Sequence, residues 1–284
     1  ASMNHQLQIV TGKGGVGRSA VTAAIALAAA RSGRRVLAAA MTDSTGLAAH
    51  FGLDRLDYLP VPIQPNLHAM GIDRGRALDE YLRLQLGLGK RVPLLPLSRN
   101  LEALSQTVPG IRDVVTTGKL YHEVRSGNWD LVIADGPPTG QIMSYLRASR
   151  VIASLVRTGR AREQADEMTD LLAAPDSSLI MVTLAEELPV TETMEALGEL
   201  EDERLIRLGG VFANRTVRPL GVSEASLDAV QDDAVRGAGL LHRGLYQGQR
   251  RWRRELPAHV ALPLLFGEHN PAEVAEQLSL EVAP

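Results

Sequence analysis

The 284-residue chain contains no cysteine, which excludes disulfides, thiolate zinc sites, iron–sulfur clusters and a cysteine nucleophile together. Lysine is also scarce: of 30 basic residues only those at positions 13, 90 and 119 are lysine, and the rest are arginine. No apolar run approaches the roughly 18 residues of a membrane-spanning helix, and the first residues lack the pattern of a secretory signal. The chain is therefore expected in the cytoplasm, with no stable membrane insertion. Ala1 and Ser2 ahead of Met3 read as an addition before the native start. A net charge of -3 gives no global attraction to nucleic acid or to an anionic membrane surface. With 45% hydrophobic and 22% charged residues, the composition is globular and excludes disorder, collagen and a coiled-coil rod.

What is present is an alternation of short apolar runs with helical patterns, the signature of βα units on a mostly parallel sheet. The sequence predicts strands at 6–11, 35–40, 67–72, 130–134, 179–184, 209–213 and 259–262. Helices are predicted at 18–32, 73–88, 140–156, 162–172, 190–207 and about 228–255. The fold class is α/β, a doubly wound sheet forming one domain over 4–284. Residues 73–127 interrupt the alternation and read as a helical insertion, broken by Pro93, Pro96 and Pro109. Leu82, Leu84, Leu86, Leu88, Leu94, Leu95 and Leu97 give it an apolar surface. That surface is either ordinary packing over a sheet edge or a place for a client.

The strongest signal follows the first strand, where Gly12-Lys13-Gly14-Gly15-Val16-Gly17-Arg18-Ser19 leads into an alanine-rich helix. Glycines at this spacing let successive N–H groups surround phosphates at a helix N-terminus, as in a P-loop. Gly12, Gly14, Gly15, Val16, Gly17, Arg18, Ser19 and Ala20 are thus the candidate phosphate-binding residues for ATP or ADP, and Ser19 the candidate magnesium ligand. The early Lys13 marks the deviant Walker A group, in which this residue resembles the lysine that reaches the partner's nucleotide across a dimer. Arg18 departs from the pattern, because a lysine is expected there. An arginine keeps the charge but offers a planar fork instead of a compact ammonium, so binding is expected to persist while hydrolysis falls.

Two loops at carboxyl ends of strands carry aspartates, Met41-Thr42-Asp43-Ser44-Thr45-Gly46 and Asp135-Gly136-Pro137-Pro138-Thr139-Gly140, where ligands of open α/β sheets bind. Asp135 is the candidate for holding magnesium and Asp43 for orienting the attacking water. Capping is the competing role: Asp43 or Ser44 for the next helix, Thr139 for the helix from Gly140. Together with the loop at 12–19 and the helix Gln141–Leu146, these runs resemble the ArsA family. That family comprises the arsenical-pump ATPase, the Get-pathway targeting factor for tail-anchored membrane proteins, and bacterial relatives. The likeness covers essentially the whole chain. It implies an ATP-hydrolysing, magnesium-dependent dimeric switch that couples nucleotide state to a protein or other client. Val211-Phe212-Ala213-Asn214-Arg215 resembles the strand that ends in the family's adenine-recognising asparagine, and Leu262-Pro263-Leu264-Leu265 its second base-flanking loop. Asn214 has the alternative role of a strand-end turn residue.

Departures from the family are equally specific. Without cysteine there is no metalloid site and no dimer-clamping zinc. Seven methionines, scattered, and only a short segment at 156–174 stand in place of a methionine-rich groove for a transmembrane client. Thr116-Thr117-Gly118-Lys119, preceded by Pro109-Gly110-Ile111-Arg112-Asp113, resembles a feature of paired actinobacterial-type members. This implies either a homodimer or a heterodimer with a related ATPase subunit, and a second reading as a regulatory subunit with weak hydrolysis. A MinD- or ParA-like positioning ATPase is the competing class. Its support is Gln249-Arg250-Arg251-Trp252-Arg253-Arg254, which reads more simply as a solvated helix face.

Overall fold

Every residue of strand β2 (Val36–Ala40) is buried, because its alternating side chains enter two different cores. Val36, Ala38 and Ala40 face one core, and Leu37 and Ala39, followed by Met41, face the other. A computed structural model describes residues 6–86 and 111–282. The first core is closed by the alanine-rich helix α1 (Arg18–Arg31) and the helix α10 (Pro271–Glu281). Small side chains on α1 let α10 lie close against it. Helices α4 (Ile111–Arg125), α5 (Thr139–Leu155), α6 (Arg160–Ala173) and α7 (Glu187–Glu203) close the second core, through Leu120, Ile142, Leu146, Leu172, Val190 and Leu200 among others.

The sheet between these layers contains β1 (Gln6–Gly12), β2, β3 (Val61–Gln64), β4 (Leu67–Gly71), β5 (Leu131–Pro138), β6 (Ser177–Leu184), β7 (Arg207–Thr216) and β8 (His259–Pro263). Their order is β3-β4-β2-β5-β1-β6-β7-β8. All neighbours are parallel except the β3–β4 pair. β1 therefore lies inside the sheet, and the loop that leaves it is flanked by the carboxyl ends of β5 and β6, the crevice where α/β sheets bind ligands.

The doubly wound α/β expectation holds, with five local corrections. β3 was not expected; its Pro62 suits only an edge, and it pairs antiparallel at the margin of the sheet. β5 runs four residues beyond the expected end and pairs Pro138 with Gly12, so Asp135 lies within the strand. The expected helix 190–207 begins at Glu187 and stops at Arg204, whose φ of 49° ends it in the left-handed region. The single helix expected from 228 is two, α8 (Glu224–Asp228) and α9 (Asp233–Arg253), separated where the Asp232 carboxylate caps the N–H groups of Ala234 and Val235. α10 was not expected, although Asn270, Pro271 and Glu273 form a capping box with proline at its start.

Of the expected insertion, α3 (Arg74–Leu86) and α4 are described. Pro93, Pro96, Pro109, Lys90, Leu88, Leu94, Leu95 and Leu97 lie outside the described residues, as do the side chains of Leu82, Leu84, Leu86 and Arg112. A buried ionic cluster joins the two helices. Lys119, 7% exposed, lies 2.9 Å from both Glu80 and Glu123, and Tyr58 donates its hydroxyl proton to Glu80. Burial would raise the Glu80 carboxyl, but its bonds from Tyr58 and Lys119 outweigh that and hold it below the ordinary range. The Thr116–Lys119 stretch is thus helix core: Thr116 is buried, and Thr117 donates to the carbonyl of Asp113 at 2.8 Å.

Candidate functional site

The loop after β1 crosses to α1 through Gly17, whose φ of 94° lies in the left-handed region. A Cβ here would strike the Asn214 amide, and one on Gly12 would strike the carbonyl of Val182, so both positions demand glycine. At Gly14 and Gly15 an added Cβ would meet nothing within 4 Å. The loop is therefore packed against protein on one side and open on the other. The cap Gly17 has no side chain to occupy the first N–H groups of α1, and the first turn holds no acidic residue. An anion is what such a helix start accepts.

Three side chains tie the loop and the start of α1 to neighbouring elements. Ser19 donates its hydroxyl proton to Oδ2 of Asp135 at 2.6 Å. Oδ1 of Asp135 is buried with no hydrogen-bond partner. Burial raises the Asp135 carboxyl above its ordinary range, with Asp43 adding to the rise and Ser19 and Arg18 opposing it. A buried carboxylate with one idle oxygen beside a hydroxyl is a hard-oxygen donor set, and it fits magnesium. Arg18 donates to the carbonyl of Gly136. Lys13 is paired with Glu192 of α7 at 2.6 Å. Asp43 is exposed and accepts the Thr45 N–H at 3.1 Å and the Thr45 hydroxyl at 2.6 Å. The Thr45 hydroxyl and then its N–H hold the Asp43 carboxyl below the ordinary range.

A family model described as anion-transporting ATPase, the ArsA ATPase family, matches residues 5–174. The chain belongs to the ArsA family. It is 33% identical over 255 residues to ATPase BagA of Mycobacterium tuberculosis, a match covering 84% of this chain and 74% of that protein. It is 29% identical over 144 residues to ATPase get3 of Schizosaccharomyces japonicus, covering 50% and 44%. A provisionally named septum site-determining protein MinD of Emiliania huxleyi is 30% identical over 249 residues, covering 84% of each chain. The ArsA family consists of nucleotide-binding ATPases.

The structure of this ArsA-family chain brings most of the expected residues to one end of the sheet. Val16 and Ala20 are buried in the loop and in α1. Asn214 donates to the carbonyl of Val16 at 2.9 Å and accepts the Arg215 N–H. Its amide thus stitches β7 to the loop, while Arg215, at φ 52°, forms a bulge opposite β8. Leu264 donates its N–H to the carbonyl of Thr216 at 2.8 Å, and Pro263 pairs with Thr216, so both lie beside Asn214's strand. As for capping, Thr139 is already in α5 and its cap is Pro138, with no side-chain bond. Ser44 stands at the start of helix α2 (Thr45–Ala49) without a side-chain bond, and Asp43 takes the Thr45 N–H instead. Arg250, Arg251 and Arg253 fill the last turn of α9, where cations complement the helix dipole. Trp252 packs onto the core. Glu192 and the Gly136 carbonyl were not expected in the site. Both lie more than 100 residues from the cation they bond, and although Gly136 belongs to the Asp135–Gly140 run, no local pattern pairs either with the loop. Among the described residues, no helix is long and apolar enough to cross a membrane.

Proposed function

We propose that the chain is a cytoplasmic, magnesium-dependent ATPase whose nucleotide state opens and closes a dimer and so governs binding of a protein or other client. The buried Asp135 supports this reading most directly, because an idle carboxylate oxygen behind a phosphate loop is costly unless a cation uses it. In this reading Gly12, Gly14, Gly15, Val16, Gly17, Arg18 and Ala20 surround the phosphates of ATP, and Ser19 and Asp135 hold the metal. Bound magnesium would neutralise charge on the phosphate oxygens. Asp43, kept ionised by Thr45, orients the attacking water, and Lys13 offsets charge on the nucleotide of the second subunit. Asn214, Arg215, Pro263 and Leu264 flank the base. The domain extends over 4–284, with 73–127 as its helical insertion and the candidate client surface.

The test is magnesium-dependent phosphate release measured beside light-scattering mass, with ADP and a non-hydrolysable ATP analogue setting the dimer state. Turnover by a nucleotide-stabilised dimer supports the reading; absence of ATP binding sinks it. In mixed dimers, Lys13→Ala should remove hydrolysis at the partner's site, and full activity there would refute action across the interface.

The bond from Arg18 to the Gly136 carbonyl favours a second reading, a nucleotide-binding regulatory subunit with weak hydrolysis that pairs with a competent related ATPase. Tight binding without turnover, on the chain alone, is its signature. ATP-dependent and salt-sensitive retention on vesicles or DNA would instead favour a positioning ATPase.

A further inference from the structure

Lys13 belongs to the phosphate loop, yet its ammonium is turned onto protein, 2.6 Å from Oε1 of Glu192. Glu192 lies in α7, which follows β6, on the far side of β1 from Asp135. The pair is neither buried nor free, with side-chain exposures of 31% and 34%. We infer that Glu192 is the counter-ion that holds Lys13 in the free chain, a positioning residue that sets how readily this lysine is released to the nucleotide of a second copy. The inference deepens the ATPase reading above and rests on it for the identity of the competing acceptor.

Three observations carry it. A single, partly solvated carboxylate holds an ammonium only weakly, by a factor of about two to five, so a polyphosphate with several charged oxygens outcompetes it while solvent does not. The opposite cation of the loop, Arg18, is tied to a backbone carbonyl, so each loop cation has a protein acceptor of its own. The retention of lysine at position 13 in a chain whose basic residues are mostly arginine also acquires a reason. A compact ammonium on a four-carbon stem can leave one acceptor for another by rotating its stem, whereas a planar guanidinium fork is bound to one geometry.

With only three lysines, the test is direct. The full-length chain is pulse-labelled with an amine-acylating reagent and each lysine is quantified by mass spectrometry. Lys119, buried and paired to two carboxylates, serves as the internal reference. In the free chain, Glu192→Gln should raise the ratio of Lys13 to Lys119 labelling about two- to five-fold. The charge-retaining Glu192→Asp should give a smaller rise, and high salt should move the wild type toward the Gln variant. An unchanged ratio in Glu192→Gln and in high salt overturns the inference; a loss of Lys119 protection would reveal unfolding, and the wild-type salt series then decides alone. With magnesium and ATP, protection of Lys13 should depend on protein concentration, and its midpoint should fall about two- to five-fold in Glu192→Gln. Protection independent of protein concentration overturns release to a second copy. If ATP does not bind, the proposed function fails, while the free-chain ratio still passes or fails Glu192.

Discussion

The guanidinium of Arg18 donates a hydrogen bond to the carbonyl of Gly136, joining the start of α1 to the strand that carries Asp135. Where a lysine would end in a compact ammonium, the longer planar group reaches across to β5 and uses a donor on protein. Arg18→Lys should therefore raise turnover by about tenfold or more, the scale on which single charge-stabilising donors act in transition states. Phosphate release per site is the measurement. No gain would mean that the arginine is not what limits hydrolysis.

Asp43 is held in place by both the N–H and the hydroxyl of Thr45 and remains ionised across the neutral range. Asp43→Asn keeps the shape and removes the charge. It should leave the ATP dissociation constant within a few-fold and lower turnover about a hundred-fold, the usual scale of a general-base loss. Equal turnover would return Asp43 to a purely capping role.

Asp135 has its carboxyl raised by burial, so its ionised form costs the folded chain stability. The sign follows from linkage: a raised folded-state value contributes stability below the unfolded value near 3.9, and that contribution is lost as pH rises through the folded one. Asp135→Asn should melt about 2 °C higher than the parent at pH 8 without nucleotide, for roughly 1 kcal/mol. The difference should shrink toward pH 4. The same variant should lose the extra stabilisation that magnesium adds to ATP. A lower melting temperature at every pH would contradict the assignment of this carboxylate as a strained metal ligand.

Lys119 is the cation of a buried cluster, and its removal leaves Glu80 and Glu123 without their counter-charge. Lys119→Met should cost about 3 kcal/mol in chemical denaturation, as breaking a buried pair does. Lys119→Met combined with Glu123→Leu should recover part of that loss, and an uncoupled pair of effects would show that the contacts act independently.

The residues around the candidate site differ in how far the sequence announced them, and the difference follows chain separation. Gly12 to Ser19 are contiguous, and a strand, a glycine loop and a helix start are enough to specify their shape, so the loop could be read directly. Asp135 and Asp43 stood out as candidates because each comes after a run of apolar residues. Pro62 and the Asn270–Glu273 box also carried legible local signals, for an edge strand and a helix start. Composition excluded cysteine chemistry without any structure.

What only the tertiary structure decided is which distant groups meet. The sheet order places β5 and β6 on either side of β1, and this alone brings the Gly136 carbonyl to Arg18 and Glu192 to Lys13. It also turns the Asn214 amide toward the loop carbonyl of Val16. Hydrophobic periodicity reports which face of an element is buried but not which element covers it, because apolar burial is non-directional. Hydrogen bonds and ion pairs are directional and short, so their partners exist only once the strands are in register.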